Sequence, residues 1–164
     1  SGETLWMALD GRGGHSAIGA MLPGGRFEAQ WQLDEAVQCL CWDAAQGLLY
    51  ATAPASGSVL VLRPGTAAVR RLASLPKGSG QLSGLALDAQ GGLWTALRDG
   101  WSVVRLSAEG GLDRVIGLPV PCPTDLAFGG ADGNELYITT ARQPVALDAL
   151  ANSPLSGRLL ATRP

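Results

Sequence analysis

The chain of 164 residues is poor in the residue types that most often announce a function. Lys77 is its only lysine, His15 its only histidine, and Cys39, Cys41 and Cys122 its only cysteines. Charged residues make up 16% of the chain and the formal net charge is −2. No basic stripe is available to grip a polyanion, so neither a nucleic-acid nor a membrane partner is expected. Three cysteines are too few, and odd in number, for a disulfide framework. Without a CxxC pair or clustered histidine they give no thiolate zinc site either. Cys39 and Cys41, two positions apart, share one strand face and read as buried, reduced thiols. No apolar run approaches the roughly 20 residues that span a bilayer, and no secretory leader pattern is present. Together with the reduced thiols, this leads to the expectation of a cytoplasmic location. Arginine in place of lysine, with abundant alanine and glycine, points to GC-rich bacterial coding.

What the chain does have is apolar content, 46%, and a repeat. Leu5-Trp6, Leu49-Tyr50, Leu93-Trp94 and Leu136-Tyr137 recur with the aromatic positions 44, 44 and 43 residues apart. Each pair opens a short strand-like run: LWMALD, LYATAP, LWTALR, LYITTA. A period of about 40–50 residues built only from strands and turns is the signature of a β-propeller. Recurrence at one register assigns Trp6, Tyr50, Trp94 and Tyr137 to the packing between blades. Trp31 and Trp101 fall outside that register and are expected to be partly exposed.

Laid out in this register, the chain gives fourteen strand-like runs, named A to D from the axis outward. The first blade has B (Leu5–Leu9), C (Ile18–Leu22) and D (Arg26–Leu33) but no A. The second has A to D at Val37–Trp42, Leu48–Thr52, Ser58–Arg63 and Ala68–Leu75. The third has them at Leu82–Leu87, Leu93–Leu97, Ser102–Leu106 and Leu112–Leu118. The fourth has A (Thr124–Phe128), B (Glu135–Thr140) and C (Arg158–Ala161). The blade registers are therefore 1–33, 34–76, 77–120 and 121–164 of one domain. Turn residues mark the A-to-B connections: Asp43 to Gly47, Asp88 to Gly91, and Asp132-Gly133-Asn134. Pro144–Ala151 carries a short helical pattern with proline in its first turn, an insertion between B and C. The fold class is all-β, a partial β-propeller of about three and a half four-stranded blades.

Obvious chemical motifs are few. Gly11–Gly19 is glycine-rich but no helix pattern follows, so it lacks the strand–loop–helix context of a phosphate cradle. His15 and Ser16 are adjacent, a spacing that rarely lets a base reach a nucleophile, and no G-x-S-x-G elbow is present.

The stretch Gly84–Arg142 contains LALDAQGGLW, LPVPCPT, AFGG and LYITTAR. In these segments it strongly resembles the C-terminal part of the senescence-marker-protein/gluconolactonase/regucalcin-like family. The earlier part, from LWMALD to CLCWDAAQGLLYAT, is similar in the same order. The resemblance implies a six-bladed propeller, of which fourteen strands are a little over half. It therefore implies a further N-terminal half, or a partner chain, to close the ring.

It also implies a metal-dependent lactone or ester hydrolase acting on a small-molecule ligand. A divalent cation (Ca2+, Mg2+, Mn2+ or Zn2+) would sit in the central channel, held by a Glu, an Asn and an Asp. The Glu position lies upstream of this sequence. Gln38 stands at the Asn position and Ser83 at the position of the metal-binding, catalytic Asp, with Thr124 at the equivalent height of the next A strand. A ring of Gln, Ser and Thr has no formal charge, whereas hard cations are held by carboxylates, so tight cation binding by this chain is not expected. The alternative reading is a non-catalytic small-molecule-binding or interaction propeller derived from the same family. Asp125, next to Thr124, is turned away from the channel by strand alternation unless a local bulge re-aims it. His15, in a loop that resembles one bordering the substrate entrance, is a candidate ligand contact.

Overall fold

In the computed structural model, described for residues 4–143 and 145–164, fourteen strands form four antiparallel sheets. Sheet 1 holds β1 (Leu5–Asp10), β2 (Ser16–Leu22) and β3 (Arg26–Leu33). Sheet 2 holds β4 (Cys39–Asp43), β5 (Leu48–Ala53), β6 (Ser58–Leu62) and β7 (Val69–Ser74). Sheet 3 holds β8 (Gln81–Leu87), β9 (Leu93–Arg98), β10 (Ser102–Leu106) and β11 (Leu112–Gly117). Sheet 4 holds β12 (Pro123–Gly129), β13 (Glu135–Thr140) and β14 (Leu160–Thr162). Every sheet is a meander in chain order, and the arrangement is a partial β-propeller. The one helix among the described residues, α1 (Leu147–Ala151), lies in the connection from β13 to β14. Pro144, expected in its first turn, lies outside the described residues; the helix starts after Ala146, with no side-chain cap.

Alternation along the second strand of each sheet explains the repeat. In β5, Leu49, Ala51 and Ala53 face sheet 1 and pack with Ile18 and Trp31, while Tyr50 faces sheet 3 and packs with Leu82, Leu85 and Leu93. In β9, Trp94 and Ala96 face sheet 4 and pack with Leu126, Leu136 and Ile138. Each of the first three repeat aromatics therefore seals its own sheet against the next one. Trp6 packs toward sheet 2, Tyr50 toward sheet 3 and Trp94 toward sheet 4. Tyr137, on the last sheet, is half-buried and donates its hydroxyl to Glu135 at 2.7 Å.

Trp31 departs from its expectation: it is 3% exposed. The pairing of β2 with β3 shifts between Ile18 and Gly19, so that Gln30 is the extra residue and Trp31 stands opposite the fully buried Ile18. The bulge turns Trp31 inward, 5.7 Å from Trp6 between ring centroids. Trp101 is 40% exposed, as expected, in a turn where it holds φ 52°.

Gly110 shows how closely the sheets meet. It has φ +87°, and a Cβ there would lie 2.0 Å from the carbonyl oxygen of Leu72 in β7 of the neighbouring sheet. Strain and collision act together in Gly110→Ala, which is expected to cost about 2 kcal/mol or more. Its urea midpoint, measured against the parent, checks this.

Candidate active-site channel

The sheets touch chiefly through their first strands, with β8 packed between β4 and β12. Beside the apolar packing of Leu82 and Leu85 with Cys39 and Cys41, and of Ala86 with Leu126, a ladder of hydroxyls and carbonyls joins the sheets here. Thr52 Oγ1 donates to the Ser83 carbonyl at 3.0 Å, and Ser83 Oγ donates to the Thr124 carbonyl at 2.5 Å. Thr124 Oγ1 lies 2.9 Å from Thr139 Oγ1, and the latter reaches the Asp125 carbonyl at 3.3 Å. The backbone N–H of Gln38 donates to the Thr52 carbonyl at 2.9 Å, leaving the exposed Gln38 side chain free of the ladder.

Ser83 is only 3% exposed, and its one hydroxyl hydrogen is committed to Thr124. Its place is that of a clasp between sheets 3 and 4. Gln38 and Ser83 offer a hard cation two neutral oxygens, one of them buried. Among the described residues no group of three or more His, Cys, Asp or Glu side chains is placed to hold a metal. These residues do not fit a tightly held divalent cation, whose affinity rests on carboxylate count.

The charge at this place belongs to Asp125. In sheet 4 the pairing of β12 with β13 runs Pro123 to Thr140 and then Asp125 to Thr139, so Thr124 is the extra residue of a bulge. A second shift, between Leu82 and Leu85, falls at Ser83 and Gly84 of β8. Thr124 and Asp125 therefore stand together opposite Thr139, where strict alternation would have set them on opposite faces. Asp125 lies against Gly84: a Cβ on Gly84 would be 2.0 Å from Asp125 Oδ1 and 2.5 Å from its Cα. Asp125 Oδ1 accepts the Leu126 N–H at 2.9 Å, and the residue is exposed.

Its charge reaches across sheet 3 to sheet 2. Burial first, and Asp125 second, push the Cys39 thiol up. Burial likewise drives Cys41 up to about 11. All three cysteines are free thiols, Cys122 buried and the other two half-buried.

His15 is placed elsewhere. Its Nδ1 lies 3.5 Å from Asp34 Oδ1, and both side chains are well exposed. Asp34 also lines a groove of about 570 Å3 with Glu35, Ser56, Leu60 and Arg71, which runs outward along β6 and β7. Ser16, beside His15, is fully buried; its hydroxyl donates to Asp10 at 2.9 Å and accepts the Val37 N–H at 3.0 Å. The structure therefore brings Ser83, Thr124 and Asp125 together and leaves His15 at the rim.

A family model described as "SMP-30/Gluconolactonase/LRE-like region" matches residues 6–142, well over half of the chain. The chain belongs to this SMP-30/gluconolactonase/LRE-like family. Among curated relatives, a 6-deoxy-6-sulfogluconolactonase of Pseudomonas putida is 43% identical over 102 residues, covering 62% of this chain and 34% of the relative. Regucalcin of Oryctolagus cuniculus is 39% identical over 75 residues, covering 45% of this chain and 25% of the relative. Among solved structures, a calcium-binding regucalcin from Agrobacterium tumefaciens superposes with a TM-score of 0.85 at 20% identity, covering 96% of this chain and 56% of that one. The chain thus spans about a third or less of the length of these curated relatives.

Within this gluconolactonase-like chain the two bulges are what alternation alone does not supply. Their signal is nevertheless present in the residue types. A glycine inside a strand, Gly84, and a proline at a strand start, Pro123, are the usual marks of a bulge or of close backbone approach.

Proposed function

We propose that this chain is part of a hydrolase that opens the cyclic esters of sugar acids. The observation that carries this reading is the family membership over residues 6–142, in a fold whose first strands gather Ser83, Thr124 and Asp125 at one place. The curated relative named for a sugar-acid lactone supports the substrate class. A polyhydroxylated ligand suits the polar residues here, since Gln38 and Thr139 are exposed and Thr124 half-buried.

The calcium-binding neighbour supports a divalent cation for the family, whose chemistry is polarisation of a carbonyl and activation of water. The residues of this chain do not fit it, and no step here depends on it. The remaining partner is a strand. Among the described residues β1 pairs only with β2, and its Leu5 (60% exposed) and Leu9 (41%) are exposed, as is Trp42 (43%) on β4. A further strand, from the additional length that the relatives have or from a partner chain, would fill the place that β4, β8 and β12 hold in their own sheets.

Ring opening of a panel of aldonolactones, followed by acid release in weak buffer, tests the reading. Rates above spontaneous hydrolysis are the expected result. Saturable lactone binding without turnover would instead assign a binding propeller.

A further inference from the structure

We propose that Asp125, re-aimed by the bulge at Thr124 into the gap left by Gly84, is the proton-accepting catalytic residue of the channel. This rests on the lactone reading given above. Three observations lead to it. Thr124 is the extra residue between Pro123 and Asp125, so the two neighbours Thr124 and Asp125 stand together opposite Thr139 and the alternation between them is broken. Gly84 has no side chain where Asp125 Oδ1 lies, so the carboxylate fits over the neighbouring strand and stays exposed. Ser83, at the register of the family's acid, has its hydroxyl hydrogen committed to the Thr124 carbonyl and is buried. The acid has in effect moved one blade along: the β8 position is neutral and β12 supplies the charge.

The chemistry balances without a further reagent. Water bonded to the free oxygen of the Asp125 carboxylate attacks the lactone carbonyl carbon, and its proton passes to Asp125. The new C–O bond forms as the carbonyl π electrons move to oxygen. On collapse of the tetrahedral species the ring C–O bond breaks. The departing ring oxygen takes the proton back from Asp125, giving a hydroxy acid and restoring the carboxylate. Only the oxygen not engaged with the Leu126 N–H is needed, and Oδ1 holds the side chain in place through that bond at 2.9 Å.

The variant Asp125→Asn keeps the shape of an exposed side chain and removes the charge. Two readouts apply, both on the full chain. In a Cys41→Ser background, alkylation by iodoacetamide at the half-buried Cys39 is read on its own peptide, with the fully buried Cys122 on a separate peptide as the reporter of unfolding. Asp125→Asn is expected to speed modification of Cys39 with that of Cys122 unchanged, because the opposing charge is gone. An unchanged Cys39 rate means that Asp125 does not face the axis and overturns the proposal, whatever the activity. Aldonolactone hydrolysis is then expected to fall by about 10²–10⁴-fold in kcat with KM altered only a few-fold. Gly84→Ala, whose Cβ would meet both the carboxylate and the Cα of Asp125, forces β8 and β12 apart and is expected to lower kcat and stability together. Hydrolysis unaffected by Asp125→Asn overturns this proposal alone. No hydrolysis by the parent chain, with the Cys39 effect present, overturns the catalytic step together with the lactone reading and leaves the placement of Asp125 standing.

Discussion

Trp94→Ala is expected to cost about 3–5 kcal/mol of stability, the range for emptying a large buried aromatic site. Trp94 is 1% exposed and closes the core between sheets 3 and 4, where it meets Phe128 edge-on at 6.1 Å. Its loss removes apolar burial and a hydrogen bond together, because Nε1 donates to Asp88 Oδ2 at 2.9 Å. For a chain of this length each kcal/mol lowers Tm by about 2–4 °C, so a fall of roughly 10 °C is the result to look for in a thermal melt. Trp94→Phe keeps most of the burial and loses the donor, and should fall between parent and alanine variant. A Trp94→Ala variant melting within 3 °C of the parent would mean that sheets 3 and 4 are held by something other than this core.

The second large effect is at Asp88. It ends the first strand of sheet 3 and organises the turn to β9. Its Oδ1 accepts the N–H groups of Gln90 and Gly92 at 2.9 and 2.8 Å. Oδ2 accepts from Trp94 Nε1 and from Arg105 Nε at 2.6 Å. Arg105 is pinned on its other side by Asp113, so β8, β9, β10 and β11 are tied by one cluster. Burial pushes the Asp88 carboxyl up, but the Arg105, Trp94 and backbone donors outweigh it and hold the carboxyl at about 2, below its ordinary 3.8.

A carboxyl depressed in the folded state contributes stability that is complete above the unfolded value. That stability is lost as pH falls through the folded value. The window is therefore about pH 4 down to pH 2, and the contribution, allowing for partial solvent screening, is about 1–2 kcal/mol. Asp88→Asn should flatten the stability-versus-pH curve in that window. Asp88→Ala should cost about 2–4 kcal/mol at pH 7, since it leaves Arg105 short of a partner and two N–H groups unmet. Urea titrations at pH 7, 4 and 2.5 separate the two effects. A parent-like slope in Asp88→Asn would assign the acid sensitivity to another carboxylate.

The strands were legible in the sequence because their repeat is set by packing. Each of Trp6, Tyr50 and Trp94 must seal its sheet against the next, which fixes both the interval and the neighbours. Arg26–Leu33, Ser102–Leu106 and Glu135–Thr140 coincide with β3, β10 and β13, and the remaining strands differ by only a few residues at their ends. Edges drift where a bulge or a link replaces pairing: Val37 is buried but precedes β4, and Arg158 precedes β14. The site was less legible for the same reason. Counting residues predicts a face only while the count is unbroken, and both Trp31 and Asp125 follow an extra residue in their strand. That Ser83 is a neutral residue was readable; that its hydroxyl joins two sheets was not, because the partner is a backbone carbonyl 41 residues away.

The bulge at Thr124 has a consequence for how such chains are compared. A strand is a parity counter, and one additional residue inverts the count upstream while leaving it intact downstream. Leu126 and Phe128 still stand opposite Ile138 and Leu136, so the inversion leaves the apolar pairing of the blade undisturbed. Two chains that differ by one residue at this point of the strand therefore keep the same apolar pairing while the residues before it change face, so their positions are best compared by ladder partner and not by count.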